Sequence, residues 1–208
     1  MAKIGLISDV HATTSPIEEA LSIFAHAGVE QILCAGDTAG YGDQLEQSVA
    51  LLADSGCHAI LGNHDVSYLD QNANDADNPA AAFLRQLPTS LSMTIAGKRV
   101  YMVHGRPPDD CLNGIKLLDG EGEVPTDRLA FWADEIKTIN CDVLVVGHTH
   151  QVFAEKVGDI LVVNPGSALF NHSCAILTLP EMTVEVFALS NKEIEKTWSY
   201  SDYIAGRG

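Results

Sequence analysis

Five short stretches hold side chains able to bind a metal or move a proton: Asp9-Val10-His11, Gly36-Asp37, Gly62-Asn63-His64-Asp65, His104, and Gly147-His148-Thr149-His150. Carboxylates, imidazoles and a carboxamide oxygen make a nitrogen and oxygen ligand set suited to divalent transition ions, and histidine also serves as an acid or base near neutral pH. Read alone, each stretch is more often a turn, a helix cap or a satisfied core histidine. Read together they take five of the chain's eight histidines, and every stretch directly follows an apolar run. Random placement gives no reason for that.

The runs ahead of these residues read as strands. Lys3 to Ser8, Gln31 to Ala35 and His58 to Leu61 alternate with helical segments near Pro16 to His26 and Gln44 to Ser55, which is a βαβαβ pattern. Ser15, Pro16 and Glu18 supply an N-cap, a first-turn proline and a capping-box acid for the first helix. Further on, Met93 to Ile95 and Arg99 to Val103 flank an Ala96-Gly97 turn as a hairpin, Thr126 to Thr138 is helical, and Asp142 to Val146 is a strand. Two more hairpins are marked by Val157-Gly158-Asp159 and Leu179-Pro180-Glu181. The polar stretch from Gly105 to Pro125 is long for a loop inside a compact domain and reads as a lid, and the residues after Ser190 as a polar helix or frayed tail. In α/β sheets ligands gather at the carboxyl ends of strands, so these stretches are expected to converge on one crevice.

Composition bounds the rest. With 208 residues the chain is long enough for one domain with a substantial core, spanning 1–208. A net charge of -16, from 28 acidic against 12 basic residues, opposes DNA, RNA and anionic membranes at long range. The N-terminus shows no export signal, no apolar run approaches a membrane span, and five scattered cysteines form no C-x-x-C pair. A cytoplasmic protein fits best, with the cysteines buried and inert.

The ordered set D-x-H, G-D, G-N-H-D, a histidine before glycine, and G-H-x-H closely resembles the calcineurin-like metallophosphoesterase superfamily, with the match running from Asp9 to His150. Gly36 to Gly42 and Asn164-Pro165-Gly166-Ser167 are similar to motifs of its small prokaryotic phosphodiesterase branch. The resemblance implies an α/β fold, a four-layer αββα sandwich of two mixed β-sheets flanked by helices. It also implies two divalent transition metal ions, with Mn, Fe, Zn, Ni and Co all compatible with the ligand set. One would be held by Asp9, His11, Asp37 and His150, the other by Asp37, Asn63, His104 and His148, with Asp37 bridging. Asn164 to Ser167 is expected to form a supporting turn.

The implied chemistry is in-line attack on phosphorus by a hydroxide shared between the metals, with His64 as general acid for the leaving group. Asp65 either orients His64 or caps the following segment; Arg106 and Tyr41 are candidate substrate contacts. Protein phosphatases of the superfamily carry an aspartate and an arginine where this chain has Gly40 and Tyr41, so that class is disfavoured, as is a nuclease by the acidic surface. The expected substrate is a small phosphate ester, first a nucleotide-like phosphodiester, with a phosphomonoester or pyrophosphate as the alternative. A non-catalytic interaction scaffold of the same fold is the competing class. Locally, two carboxylates and a hydroxide leave two divalent ions about +1 in excess, so the pocket can attract a small anion that the surface repels. The sequence leaves any oligomeric partner undefined.

Overall fold

The computed structural model describes residues 1–75 and 77–206. Along the chain run β1 (Ala2–Ile7), α1 (Ser15–Ala27), β2 (Gln31–Cys34), α2 (Leu45–Asp54), β3 (His58–Ala59), α3 (Asn63–Gln71) and α4 (Pro79–Leu84). There follow β4 (Ser90–Ile95), β5 (Lys98–Val103), α5 (Thr126–Ile136), β6 (Val143–Val145), β7 (Val152–Val157), β8 (Ile160–Pro165), β9 (Ser173–Leu179), β10 (Thr183–Ala188) and α6 (Tyr200–Ala205). The strands form two five-stranded mixed sheets, ordered β10-β9-β1-β2-β3 and β4-β5-β6-β8-β7. In the first, β1, β2 and β3 are parallel and β9 runs antiparallel to both β1 and β10; in the second, β5, β6 and β8 are parallel with β4 and β7 reversed at the edges.

Alternation along the strands builds the layers. Ile4 and Leu6 of β1 meet Val100 and Met102 of β5, Val143 and Val145 of β6 and Val163 of β8 between the sheets. The outward residues Leu144, Val146 and Val162 receive Trp132 and Ile136 of α5. On the opposite side Ile7 and Ile176 receive Ile17, Ala20 and Phe24 of α1. Gly5 is what lets that helix sit so low, because a Cβ there would lie 2.6 Å from the Phe24 ring. The expected αββα arrangement is thus realised.

Three expectations change. The first helix begins one residue earlier than its capping signature implies: Ser15 is already helical, Thr14 holds the cap position, and neither side chain caps it. The Gly105 to Pro125 segment is no loose lid, because Ile115, Leu117 and Leu118 are buried in the α5 core. Gln151 secures it, accepting from the N–H groups of Leu117 and Leu118 at 2.8 and 2.9 Å and donating to the Leu118 carbonyl at 2.9 Å. Finally, the residues after Ser190 do not fray at once. Lys196 accepts from Val152 N at 2.9 Å, Thr197 bridges Gln151, and Glu195 is bonded to Asn171, so they form a strap across the sheet end before α6. No helix among the described residues is long and apolar enough to cross a membrane.

Candidate metal centre

Five of the seven ligand candidates sit at sharp reversals of the chain. Asp9, His11, Asp37, His148 and His150 all adopt positive φ, between 47° and 64°, a left-handed backbone that costs non-glycine residues of order 1 kcal/mol or more each. The reversal turns their side chains back over the sheet ends. The turns interlock by hydrogen bonds, with Asp9 N donating to Gly36 O, His11 N to Asp37 O, and Gly147 N to His104 O. Close approach requires glycine at two of them: a Cβ on Gly62 would fall 2.1 Å from Asp37 Oδ1, and one on Gly147 would fall 2.2 Å from Ser8 Oγ.

All seven ligand candidates come together. His150 Nε2 stands 3.1 Å from Asp9 Oδ1 and 3.2 Å from His11 Nε2. His104 Nε2 stands 3.4 Å from Asp37 Oδ2 and 3.2 Å from Asn63 Oδ1, and His148 Nδ1 stands 2.8 Å from that same Asn63 oxygen. Asp9, His11, Asp37 and His104 are buried, while Asn63, His64 and His148 are half-buried at the mouth. The side chains that could hold a metal fall into overlapping groups: Asp9, His11 and His150; His11, Asp37 and His64; Asp9, Asp37 and His104.

These groups fit divalent ions on their own chemistry. His11 Nδ1 lies 3.2 Å from Ala39 O and His104 Nδ1 lies 2.7 Å from Ala35 O, so in the neutral rings the backbone carbonyls hold the proton on Nδ1. Their Nε2 atoms face carboxylate and carboxamide oxygens, contacts that need a proton or a metal cation between the partners. Charge says the same. Burial pushes His11 down to about 4, against the pull of Asp9 and Asp37, so it stays neutral. Burial also opposes charge on His104, but pairing with Asp37 overcomes it and pushes the pKa up to about 10, marking a place where positive charge is favoured. For Asp9 and Asp37 burial works toward protonation, yet His150 and His104 respectively outweigh it and hold both carboxyls below their usual range.

The neighbours divide. His64 donates its backbone N–H to Asp37 Oδ1 at 2.8 Å and places its ring 5.0 Å from those of His11 and Tyr41. Tyr41 packs edge-on against His11 at 4.8 Å. Asp65 acts as the cap: it accepts from Gly62 N at 2.9 Å and from Ala39 N at 2.7 Å, tying the loops after β2 and β3 together. Burial, with the nearby Asp37 charge, pushes its pKa up to about 7. Arg106 turns away, pairing with Asp110 at 3.1 Å beside a 260 Å³ cleft lined by Trp132, Glu135 and Ile136. The chain's reversal at the Arg106–Asp110 bridge directs it there. The supporting turn is formed, with Asn164 Nδ2 donating to Gly147 O and Ser167 Oγ to Asp9 O.

Several contributors escaped sequence reading. Ser8 Oγ donates to Asp9 Oδ2, and Asn171 Nδ2 donates to the His150 carbonyl. His150 Nδ1 is buried with no hydrogen-bond partner; its ring is held instead by Phe170 at 5.3 Å and Trp198 at 4.7 Å. One signal was available for the last of these: Trp198, Tyr200 and Tyr203 crowd three aromatic rings into six residues of a chain that is only 6% aromatic.

Residues 2–182 match the model of the calcineurin-like phosphoesterase superfamily domain. The phosphodiesterase YfcE of Escherichia coli K12 is 25% identical over 178 residues, covering 80% of this chain and 79% of its own. A probable metallophosphoesterase of Methanothermobacter thermautotrophicus is 29% identical over 167 residues, covering 79% and 76%. Among solved structures, one described as a novel archaeal phosphodiesterase superposes with a TM-score of 0.60 at 21% identity, covering 90% of this chain and 99% of its own, a likeness of fold. With the signature residues converging on one buried pocket and nearly nine-tenths of the sequence matched, the chain belongs to the calcineurin-like phosphoesterase superfamily.

Proposed function

We propose that the protein is a two-metal phosphoesterase that hydrolyses a small phosphodiester, with Asp9, His11, Asp37 and His150 holding one ion, Asp37, Asn63, His104 and His148 the other, and His64 serving as general acid. The observation that carries this reading is the pair of backbone-fixed imidazoles, His11 and His104, whose Nε2 atoms face Asp9 and Asp37. When bound, two divalent ions supply Lewis acidity and a nucleophilic water at neutral pH. The chain's residues do the rest. Asp37 belongs to two of the candidate groups, with His11 and His64 and with Asp9 and His104, so its carboxylate could be shared between two ions. Asn63 offers a neutral oxygen that adds no charge against an incoming phosphate. His64, half-buried at the start of α3 and positioned through its own backbone bond to Asp37, can reach a departing oxygen without being a core ligand. The oxygen of water adds to phosphorus as the P–O ester bond breaks, the proton from His64 goes to the leaving oxygen, and the proton shed by the water passes to solvent, from which His64 is reprotonated.

Diester preference is supported by the likeness to YfcE and by Gly40 and Tyr41 standing where protein phosphatases have their acid and arginine. The test is hydrolysis of bis-p-nitrophenyl phosphate beside p-nitrophenyl phosphate after chelation and reloading with Mn, Fe, Zn, Ni or Co in turn. Metal-dependent turnover, faster on the diester, is expected. No turnover with any of the five ions refutes the reading and favours a scaffold; faster monoester turnover moves the substrate class to phosphomonoesters.

A further inference from the structure

The surroundings of the centre are lopsided. Among the described residues His104 and His148 have their ring contact with each other, at 5.2 Å, whereas the His11 and His150 side is walled by aromatic rings. Phe170 and Trp198 stack at 4.4 Å and press on His150; Tyr203 joins them at 5.2 and 5.5 Å and reaches Tyr41 at 5.9 Å. Trp198 is held there by the strap, whose Lys196 and Thr197 are bonded to Val152 and Gln151. Phe170 and Trp198 form the half-buried backing, and Tyr41 forms the rim, with 36% of its surface exposed. His64 stands on this side, against Tyr41. A proton donor must reach the departing oxygen, so the group that departs has to lie along the aromatic wall.

We propose that Tyr41 and Tyr203, backed by Phe170 and Trp198, form a leaving-group subsite for a planar aromatic substituent, so that the strap ending in α6 selects phosphoesters whose leaving group carries an aryl ring or nucleobase. The proposal rests on the phosphoesterase reading and on His64 as its acid. A flat ring laid on Tyr41 gains contact over its whole face and continues a cluster already assembled from offset and edge-on pairs; a puckered group of equal size meets the same wall at a few atoms. Stacking of this kind favours the planar group by about ten-fold.

Replacing Trp132 by Phe leaves Trp198 as the one tryptophan of the chain and makes its emission a local signal. The zinc-loaded Trp132→Phe protein is titrated with phenylphosphonate and with cyclohexylphosphonate, of similar size but not flat. Phenylphosphonate should bind about ten-fold tighter and shift the Trp198 emission. Adding Tyr203→Ala or Tyr41→Ala should reduce the preference below about two-fold, while Tyr203→Phe keeps it. A second pair, adenosine monophosphate and ribose 5-phosphate, shows whether a nucleobase or a simple aryl ring is preferred; a preference in either pair that both alanine variants abolish supports the subsite. Equal binding within both pairs, or a preference that survives both alanine variants, overturns it while diester turnover stands. Loss of diester turnover with every metal removes the phosphoesterase reading and this inference with it.

Discussion

At Asp37 two carboxylate oxygens serve several partners: Oδ1 accepts the His64 N–H, Oδ2 faces His104 Nε2, and Gly62 leaves the space that lets both happen. Removing one oxygen's charge should therefore undo the centre rather than weaken it. Asp37→Asn is expected to lose bound metal, measured by elemental analysis, together with activity; a variant keeping two ions and full turnover would refute the bridging role. His64 is different in kind, because its backbone supports Asp37 but its ring is not needed to hold an ion in the proposed sets. His64→Ala should retain two metals and lose about 10²- to 10⁴-fold in kcat on diesters with poor leaving groups, with a much smaller loss on nitrophenyl esters that depart unaided. A loss independent of leaving group would show that His64 is not the acid. Asp65, three residues from the glycine it caps, shows how one buried carboxylate can join two loops.

The strands bring these residues to one end, but the geometry of the centre comes from how the chain leaves them. Left-handed turns at Asp9, His11, Asp37, His148 and His150 concentrate backbone strain where the ligands are, and the strand pairing on either side holds it in place. Gln151 ties down the connection from β5 to α5 together with Arg128, Trp132 and Thr149, which donate to the carbonyls of Leu118, Lys116 and Ile115. Gln151→Ala would leave the buried N–H groups of Leu117 and Leu118 without their acceptor, a loss of about 2 kcal/mol or more, read as a lowered denaturation midpoint and as new protease cutting between residues 105 and 125. Unchanged stability and cutting would restore the lid reading. Much of the centre was legible in sequence because metal chemistry restricts residue types and because each ligand follows a strand whose apolar alternation is plain. Asp9, His11, Asp37, Asn63, His104, His148 and His150 all converge as their motifs imply. Gln151 and Asn171 were not legible, since a glutamine and an asparagine acquire their roles from partners far along the chain, and Trp198 was signalled only by the crowding of aromatic residues around it. Arg106, a candidate substrate contact by its closeness in sequence to His104, is paired with Asp110 where the chain reverses.

Over the whole molecule a net charge of -16 surrounds the proposed site for an anionic ester. The long-range field should slow arrival of a negatively charged ester, and screening should relieve it. We therefore expect kcat/KM for an anionic diester to rise between about 20 and 300 mM of a weakly coordinating salt, where the screening length shrinks several-fold. A fall would mean that the local positive excess of a loaded centre outreaches the surface. The two sheets also differ in when they can be finished. The second is drawn from one continuous stretch, β4 to β8, while the first takes β1 to β3 from the beginning and β9 and β10 from beyond residue 172. Ile4 pairs with Leu177, so one edge of β1, buried from Ile4 to Ile7, stays without its neighbour until β9 has been synthesised and released. At about 5–20 residues per second that is a wait of roughly ten seconds or more. During it the nascent protein carries an open, apolar strand edge, the kind of surface that chaperones cover and that otherwise seeds aggregation between neighbouring copies.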